Sequence, residues 1–492
     1  MTDFFNALTY NPNHPLQFNS VLFFILFSVL YLVYAMVFNN VKIRNVLLLL
    51  FSFYFYYKVS GLAVIILFFI ASSDFFIGKG IFHIKKKSGK SFLLLLSLFI
   101  NLGSLFYFKY TNFFLKLWDN MQGGNDPLIM NIILPIGISF FVFKSLSYIF
   151  DIYRGNIEQP EKNYFNYVLY VAFFPNILAG PISKASDLLP QLKEKITLNE
   201  TNIGQGLFLI MCGAFKKIFI ADFLAGNFVD RVFDAPDYFS GFESLMAGYG
   251  YTVQLYFDFS GYTDIVIGIA CLLGFSIMPN FNKPFSAVNI TDFWRRWHIT
   301  LSSWLRDYLF TPLSLGLRNW KTFGIVIAVL ITFILCGFWH GANITFIIWG
   351  GLHAIALAWD VVTNKLRNKI KKKTNKYIYK FISIFITFNF LCLSFIVFRA
   401  ADIDTALKIY TKIFADMNFN LASQWVHLYL YPCLVLIFGL LLHYTPIKWN
   451  YVLLNKYTRL HWSLKVIVVF IAFLIIYQVF SSQAQPFLYL EF

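Results

Sequence analysis

The chain alternates long apolar runs with short basic segments, and the apolar runs set its architecture. A helix that crosses a bilayer needs about 20 consecutive apolar residues, with a range of about 17–25. By this measure the runs predict roughly 11–13 membrane segments, and the shortest suggest re-entrant pieces rather than full spans. The candidate segments are Val21–Phe38, Asn45–Tyr57, Gly61–Phe76, Phe92–Phe108, Asn131–Phe150, Tyr164–Ile177, Gly206–Ala221, Ser244–Leu273, Phe323–Phe338, Thr345–Trp359, Phe381–Phe398, Tyr429–His443 and Leu464–Phe480.

The basic residues cluster in the loops between these runs, as is typical of loops that stay in the cytosol. With the basic loops inside, the N-terminus and the lysine-poor loop Trp118–Pro127 are expected outside. The segments expected inside are Lys42 with Arg44, Lys85–Lys90, Lys283–Lys321 and Lys365–Lys376.

The composition agrees with a membrane protein. Hydrophobic residues make up 58% of the 492 residues and charged residues 13%, whereas ordinary soluble domains hold about 45–50% apolar and about 25% charged residues. The net charge of +16 belongs to the basic loops and does not indicate nucleic acid. The five cysteines show no paired spacing, so we expect neither disulfides nor a metal site. No linker or repeat divides the chain, and we predict one all-α polytopic membrane domain over residues 1–492.

The stretch Phe293–Phe310 is unusually polar and aromatic for such a chain. Its periodicity predicts one amphipathic helix, capped by Thr291, at the membrane interface or in a cavity lined by protein. Composition alone fits an interfacial anchor, whereas a histidine aligned with arginines could also meet an anionic group such as a phosphate. One stripe of this helix would carry Arg295, His298, Ser302 and Arg306, and another Trp294, Trp297, Leu301, Trp304 and Tyr308.

Two carboxylates interrupt the apolar run Ser244–Leu273. Polar groups at membrane depth are costly and by default suggest function. Asp258 has Tyr262 four residues on and Asp264 has Ser260 four residues back, so helical spacing gives each carboxylate a local hydroxyl partner. These groups either bridge helices around a polar cavity or contact substrate directly.

His340 ends another apolar run, between Gly337 and Gly341. Glycine on both sides lets a second backbone or a ligand approach closely. A neutral imidazole at bilayer depth suits a general base, although the local pattern taken alone favours a structural histidine. His353, on the next run, is expected to serve packing or gating. The chain has no Walker A, zinc-protease, nucleophile-elbow or dinucleotide-binding motif.

Several long motifs resemble the membrane-bound O-acyltransferase superfamily, in particular the alginate O-acetyltransferase type of bacterial polysaccharide acetylases. The resemblance covers nearly the whole chain, including its last residues, Pro486–Phe492. Thr311–Trp320 differs, because alginate acetylases usually carry a Gly-Gly-Asn-Arg-type turn there, so the polysaccharide is left open. The motifs are Ile133–Gly155, Phe173–Ile182, Tyr251–Phe275, Asn280–Phe285, Phe293–Phe310 and Gly337–Ala354.

The resemblance implies a ring of tilted helices around a thinned centre, with a funnel on one side and a tunnel to the other. It divides the chain into N-terminal spans (1–130), a core that bears the motifs (131–360) and C-terminal spans (361–492). It also implies that His340 is catalytic and that His298 is a second histidine towards the cytosolic mouth.

The implied activity is transfer of an acyl group, most simply acetyl, from a cytosolic thioester donor to hydroxyls of a polysaccharide or partner protein outside the bacterial cytoplasmic (inner) membrane. We expect no bound cofactor or metal. The donor, acetyl-CoA or the phosphopantetheine arm of an acylated carrier, is a substrate. The side chains expected to bind donor or substrate are Arg295, Arg296, Trp297, Ser302, Arg306 and Asp258, with Asn343 or nearby backbone N–H groups stabilising the oxyanion.

Expected partners are membrane lipid, the thioester donor, an extracytoplasmic glycan, and a partner subunit that is either acetyltransferase- or esterase-like or a small membrane protein. Within the enzyme class the alternative is a transferase fed by an acyl carrier, as in D-alanylation of teichoic acid. A transporter of glycolipid or polysaccharide would show inverted repeats, which the sequence lacks. A non-catalytic scaffold would leave the His340 motif unexplained.

Overall fold

The computed structural model describes residues 8–123, 129–483 and 487. Within these ranges the chain is helical and contains no β-strand, which confirms the predicted all-α class. The α-helices are α1 (Val21–Val37), α2 (Val41–Ser60), α3 (Val64–His83), α4 (Lys87–Leu105), α5 (Thr111–Met121), α6 (Ile138–Arg154), α7 (Tyr164–Ala172), α8 (Ala185–Lys193), α9 (Glu200–Phe215), α10 (Asp230–Asp234), α11 (Gly241–Leu272), α12 (Ile290–Trp294), α13 (Ile299–Leu305), α14 (Thr311–Gly316), α15 (Lys321–His340), α16 (Ile344–Val362), α17 (Asn364–Lys373), α18 (Lys376–Arg399), α19 (Ile403–Ala415), α20 (Ala422–Leu428), α21 (Leu430–Tyr444), α22 (Ile447–Thr458) and α23 (Trp462–Gln483).

Four short π-helical turns interrupt this series: Phe106–Tyr110, Lys216–Asp222, Ala225–Val229 and Arg306–Phe310. The contacts divide the chain into two compact units. The first unit holds the described residues up to Ile210 together with Ile265–Met278, and the second holds Met211–Asp264 and the residues from Pro279 onward. The prediction of one domain over residues 1–492 stays a prediction, as do the ring and the tunnel.

Six helical segments of the described chain are long and apolar enough to cross a membrane, or seven if the bent pair Phe419–Leu428 and Leu430–Tyr444 counts as one span. The protein is therefore a multi-pass membrane protein. Helix α1, with 17 residues, lies at the lower limit for crossing, and the predicted span Leu464–Phe480 stays a prediction. The six segments are Val41–His83, Lys87–Met121, Gly241–Leu272, Arg318–His340, Ile344–Val362 and Lys376–Arg399.

The predicted segment Tyr164–Ile177 is wrong as a crossing, because α7 ends at Ala172 after nine residues. The backbone of Phe173 leaves the helical region (φ −52°, ψ 108°), and Pro175 lacks an N–H that could continue the α-helical pattern, so the chain forms a short 3₁₀ turn at Phe174–Asn176. The segment Asn131–Phe150 also shifts, since Gly137 has a φ of 80° and α6 begins only at Ile138.

Arg44, which belongs to a basic segment expected on the cytosolic side, has its side chain buried in the protein. The guanidinium donates to the carbonyl oxygens of Glu194 and Leu192 at 3.0 and 2.9 Å, so it satisfies carbonyls at the end of α8 that have no intrahelical partner.

Helices α15 and α16, in the second unit, form a tight hairpin. Gly337 and Gly350 lie at their crossing, where a Cβ on Gly350 would come within 3.0 Å of the Gly337 Cα atom. A Cβ on Gly337 would collide with the carbonyl oxygen of Phe346. The expectation that Gly337 admits a second backbone is confirmed, and this contact fixes the end of α15 on which His340 lies.

Candidate active site

His340 is the last residue of α15 and only 4% of it is exposed. Three aromatic rings surround its imidazole: Trp339 at 5.0 Å, Trp349 at 5.1 Å and Phe398 at 5.4 Å between ring centroids. These rings come from α15, α16 and α18, so three helices shape the pocket around one side chain. Such surroundings exclude bulk water from the imidazole.

The stretch Phe293–Phe310 is not one helix, and this part of the prediction is wrong. Helix α12 ends at Trp294 and α13 begins at Ile299. Between them His298 adopts left-handed backbone with φ 43°. The predicted stripe that joined Arg295, His298, Ser302 and Arg306 is therefore broken. Asn289, rather than Thr291, caps α12 by accepting from the N–H of Asp292 at 2.7 Å.

Residues 280–282 hold this left-handed turn in place. The backbone oxygen of Asn280 accepts from Ile299 N–H at 2.9 Å, and its side-chain oxygen accepts from the hydroxyl of Thr300 at 2.7 Å. The N–H of Asn282 donates to the Arg296 carbonyl at 2.9 Å. Left-handed backbone at a non-glycine residue costs about 1–3 kcal/mol and persists only where its surroundings over-determine it. The motif Asn280–Phe285 therefore supports the histidine that follows it.

His298 is fully buried, with its ring 4.8 Å from that of Phe259 and 6.4 Å from that of Trp339. Trp339 is also the neighbour of His340, so the structure brings the two predicted histidines together around one indole ring. Burial lowers the pKa of His298 to about 3, which keeps its imidazole neutral at physiological pH.

The three candidate arginines have different surroundings. Arg295 is exposed. Arg296 pairs with Asp292 at 2.9 Å, and Arg306 pairs with its neighbour Asp307 at 2.8 Å. The hydroxyl of Ser302 donates to the Trp297 carbonyl at 3.1 Å. The donor-binding role of all four residues stays a prediction.

Of the two places expected for this stretch, the membrane interface and the interior of the protein, its tryptophans occupy the interior. Trp294, Trp297 and Trp304 are all buried within the protein. The ring of Trp297 packs against Phe281 at 5.1 Å and Phe293 at 5.4 Å. These aromatic side chains form a buried cluster next to the turn at His298.

Asp258 pairs with a lysine that sequence reasoning missed. Its carboxylate is 1% exposed and lies 2.6 Å from the Lys217 ammonium, which also contacts Asp222 at 2.8 Å. Asp264 pairs in the same way with Lys216, at 2.6 Å. The hydroxyl of Ser260 has no hydrogen-bond partner among the described residues, so the expected bond to Asp264 is absent there.

A signal for these lysines was present in the sequence. Two consecutive lysines sit inside the apolar run Gly206–Ala221, where a charge is costly unless it is paired. The ion pairs bridge the π-helical turn Lys216–Asp222 and α11, as the bridging interpretation of Asp258 requires. A direct substrate contact of Asp258 stays a prediction.

The side chain of Asn343 makes two structural contacts. Its oxygen accepts from the N–H of Thr345 at 3.2 Å and caps α16, and its nitrogen donates to the carbonyl of Ala401 at 2.7 Å. Its suggested oxyanion role stays a prediction. No group of three or more potential metal ligands occurs in the part of the chain that the structure describes.

A family model described as membrane-bound O-acyltransferase matches residues 140–401, which include both histidines, the three arginines and Asp258. The chain is 38% identical to a peptidoglycan O-acetyltransferase of Helicobacter pylori, over 68% of this chain and 67% of that protein. It is 36% identical to a probable alginate O-acetylase of Azotobacter vinelandii, over 82% of this chain and 79% of that protein.

A more distant relative is a teichoic acid D-alanyltransferase of Bacillus subtilis, 29% identical over 58% of this chain and 74% of that protein. All three relatives transfer acyl groups according to their names, and the family match spans the helices that bring His298 and His340 together. The chain is an acyltransferase that belongs to the membrane-bound O-acyltransferase family.

Proposed function

We propose that the chain transfers an acetyl group from a cytosolic thioester donor to hydroxyl groups of a polysaccharide outside the bacterial cytoplasmic membrane. The observation that carries the proposal is the meeting of His298 and His340 at Trp339, inside the region that the family model matches. Acetyl is favoured over other acyl groups because the relatives with 35–38% identity are named O-acetylases or O-acetyltransferases.

The basic loops orient this site across the membrane. Helices α15 and α16 form a hairpin between the basic regions Lys283–Lys321 and Lys365–Lys376, so the turn at His340 faces outward when those regions are cytosolic. His298 belongs to a segment expected at the cytosolic face, yet it contacts Trp339 near the outward end of a 20-residue helix. A donor that enters beside His298 would therefore reach the acceptor side without crossing a full bilayer.

In the proposed step, a ring nitrogen of His340 accepts the proton of the acceptor hydroxyl. The oxygen attacks the thioester carbonyl, the new C–O bond forms, and the C–S bond breaks. The thiolate that leaves takes the proton back from His340 and departs as a thiol. One correctly placed base contributes about 10²–10⁴-fold to such a rate.

In this proposal the negatively charged phosphates of the donor bind to arginine side chains. The phosphates of acetyl-CoA or of a phosphopantetheine arm would meet Arg295, whose side chain is exposed, and Arg296 and Arg306 would add to the field. No resident cofactor or metal takes part in these steps. A partner subunit outside the membrane would accept the acetyl group where the glycan itself does not reach the site.

Transfer of radiolabelled acetyl tests the proposal. Membranes that contain the wild type should move label from acetyl-CoA to surface glycan or to a partner protein, in a base-labile ester. His340→Ala should transfer none, whereas His427→Ala, which alters an exposed histidine, should match the wild type.

If wild-type membranes transfer no label from acetyl-CoA, acetyl-CoA is ruled out as the donor. A carrier charged with acetyl and a carrier charged with D-alanine should then be compared. Activity with D-alanine alone would favour the teichoic acid type of reaction, for which the relatives of 29–30% identity are named.

A further inference from the structure

A further buried histidine packs beside the candidate active site. His353, on α16, is fully buried in the second unit. Its Nδ1 atom lies 3.2 Å from the indole Nε1 atom of Trp294, and its Nε2 atom lies 3.2 Å from the hydroxyl of Ser394. The hydroxyl of Ser394 in turn donates to the Leu391 carbonyl at 2.9 Å.

The chemistry of these partners fixes the protonation of His353. An indole N–H can only donate, so Nδ1 of His353 must accept and carries no proton. The neutral ring then holds its proton on Nε2 and donates it to Ser394 Oγ, whose own proton is used on Leu391. An imidazolium would carry a proton on Nδ1 and would lose the bond to Trp294, so this arrangement requires the neutral ring.

His353 contacts residues that lie next to His340 and residues that lie next to the turn at His298. Its ring centroid is 4.7 Å from that of Trp349, which packs against His340 at 5.1 Å. The bond to Trp294 reaches the last residue of α12, directly before the turn at His298. Ser394 connects the same ring to α18, which also supplies Phe398 beside His340.

We propose that His353 is a positioning residue for acyl transfer: its two hydrogen bonds, to Trp294 and Ser394, hold Trp349 against His340 and fix the segment that carries His298. The inference rests on the proposed role of His340 and extends it. His353 does not itself take the acceptor proton, because both ring nitrogens are engaged by other groups. Loss of these bonds would displace the reacting groups, and a displacement of about 1 Å lowers the reaction rate by about 10²-fold.

The test compares two substitutions of His353 in the purified full-length protein with acetyl-CoA as donor. His353→Leu removes both hydrogen bonds and should lower kcat by about 10–100-fold with little change in the KM for the donor. His353→Asn keeps an oxygen close to the position of Nδ1, which can accept from Trp294, and should recover most of kcat. A purely structural role would predict no such recovery.

Substitutions of the partners keep the proposal testable if His353→Leu fails to fold. Trp294→Phe and Ser394→Ala each remove one bond and should each lower kcat. The double variant Trp294→Phe/His353→Leu should be no slower than His353→Leu alone, because both changes remove the same bond. Trp425→Phe is the matched control, since this buried indole N–H has no hydrogen-bond partner among the described residues, and it should leave kcat unchanged.

A second measurement does not depend on turnover. The ¹⁵N resonances of His353, identified by their loss in His353→Asn, should show a proton on Nε2 and none on Nδ1, and Trp294→Phe should shift the Nδ1 resonance. A proton on Nδ1, or wild-type kcat in His353→Leu, would overturn the proposal. Wild-type protein that transfers no acyl group but shows the expected resonances would instead count against the proposed function and leave the network established.

Discussion

His340, the proposed general base, lies almost wholly inside the protein, with 4% of the residue exposed. Aromatic rings from three helices enclose the side chain and exclude bulk water. His298 is also buried, and burial lowers its pKa to about 3, so it acts as a neutral donor or acceptor of hydrogen bonds. The two histidines share Trp339 as a neighbour.

At the residue scale we predict a donor-specific defect for Arg295→Ala. The side chain is exposed, so its removal should leave folding intact and raise the KM for acetyl-CoA by about tenfold, equivalent to about 1.4 kcal/mol. The increase should shrink as salt is added, because ions screen an exposed charge pair. Steady-state kinetics at low and high ionic strength provide the measurement.

Arg459→Ala is the control for this prediction, since Arg459 is an exposed arginine at the end of α22 and outside the candidate site. It should leave the KM unchanged. An equal rise in KM for both variants would point to a general effect of surface charge and would contradict a donor site at Arg295.

At the scale of elements, the hairpin of α15 and α16 depends on two glycines in backbone contact. Gly337→Ala would place a Cβ against the carbonyl of Phe346, and overpacking of this kind costs about 1–3 kcal/mol. We therefore expect a lower thermal midpoint in detergent together with loss of activity, because the end of α15 carries His340. Gly351→Ala lies on the same hairpin with no atom within 4 Å of its new Cβ, and it should leave the thermal midpoint unchanged or raise it slightly, because alanine has the higher helix propensity. If it lowered the midpoint as much as Gly337→Ala, the loss in Gly337→Ala could not be assigned to the contact with Phe346.

The left-handed turn at His298 leads to a second prediction at the scale of elements. Asn280→Ala leaves the N–H and the hydroxyl of Thr300 without their buried acceptor, which costs about 1–3 kcal/mol. Asn282→Ala removes an exposed side chain but keeps the backbone bond to Arg296. Acetyl transfer should therefore fall in the first variant and persist in the second, and equal activities would show that the turn does not need the Asn280 side chain.

The two helices of the hairpin could be predicted from the sequence, because apolar length is a local signal. The long motif that singles out His340 is also local, and the role of this residue stays a prediction. The break at His298 could not be predicted, since helical periodicity describes only the spacing of side chains and carries no information on the φ angle of a single residue. The place of Trp297 could not be decided for a related reason: an aromatic residue suits an interface and a core equally, and only the contacts with Phe281 and Phe293 decide between them.

At the scale of the whole molecule, long-range pairing explains most of what sequence reasoning missed. Arg44 finds its partners at the end of α8, and Lys217 finds Asp258 on α11. Neither contact follows from spacing along the chain. The positive-inside pattern nevertheless indicates an orientation, because it depends on whole loops rather than on any one basic residue.

This orientation gives a prediction that labelling can check. Lys369, on α17, and Asn420, beyond α18, are both exposed. A cysteine introduced at position 369 should react with a membrane-impermeant reagent only in inverted vesicles, and one at position 420 only in right-side-out vesicles. The unsubstituted protein supplies the background from its native cysteines. Reaction of both positions from the same side would place an even number of crossings between them and contradict the orientation.

The role of His340 as general base is the central claim, and a single-turnover measurement tests it most directly. Purified wild type and His340→Gln, shown to have equal thermal midpoints, are loaded with acetyl donor and mixed with acceptor, and the rate of ester formation is followed. We predict that the substitution slows this rate by about 10²–10⁴-fold, while His427→Ala reacts like the wild type. A rate for His340→Gln within a few-fold of the wild type would contradict the account, because the acceptor proton would then have to leave by another group.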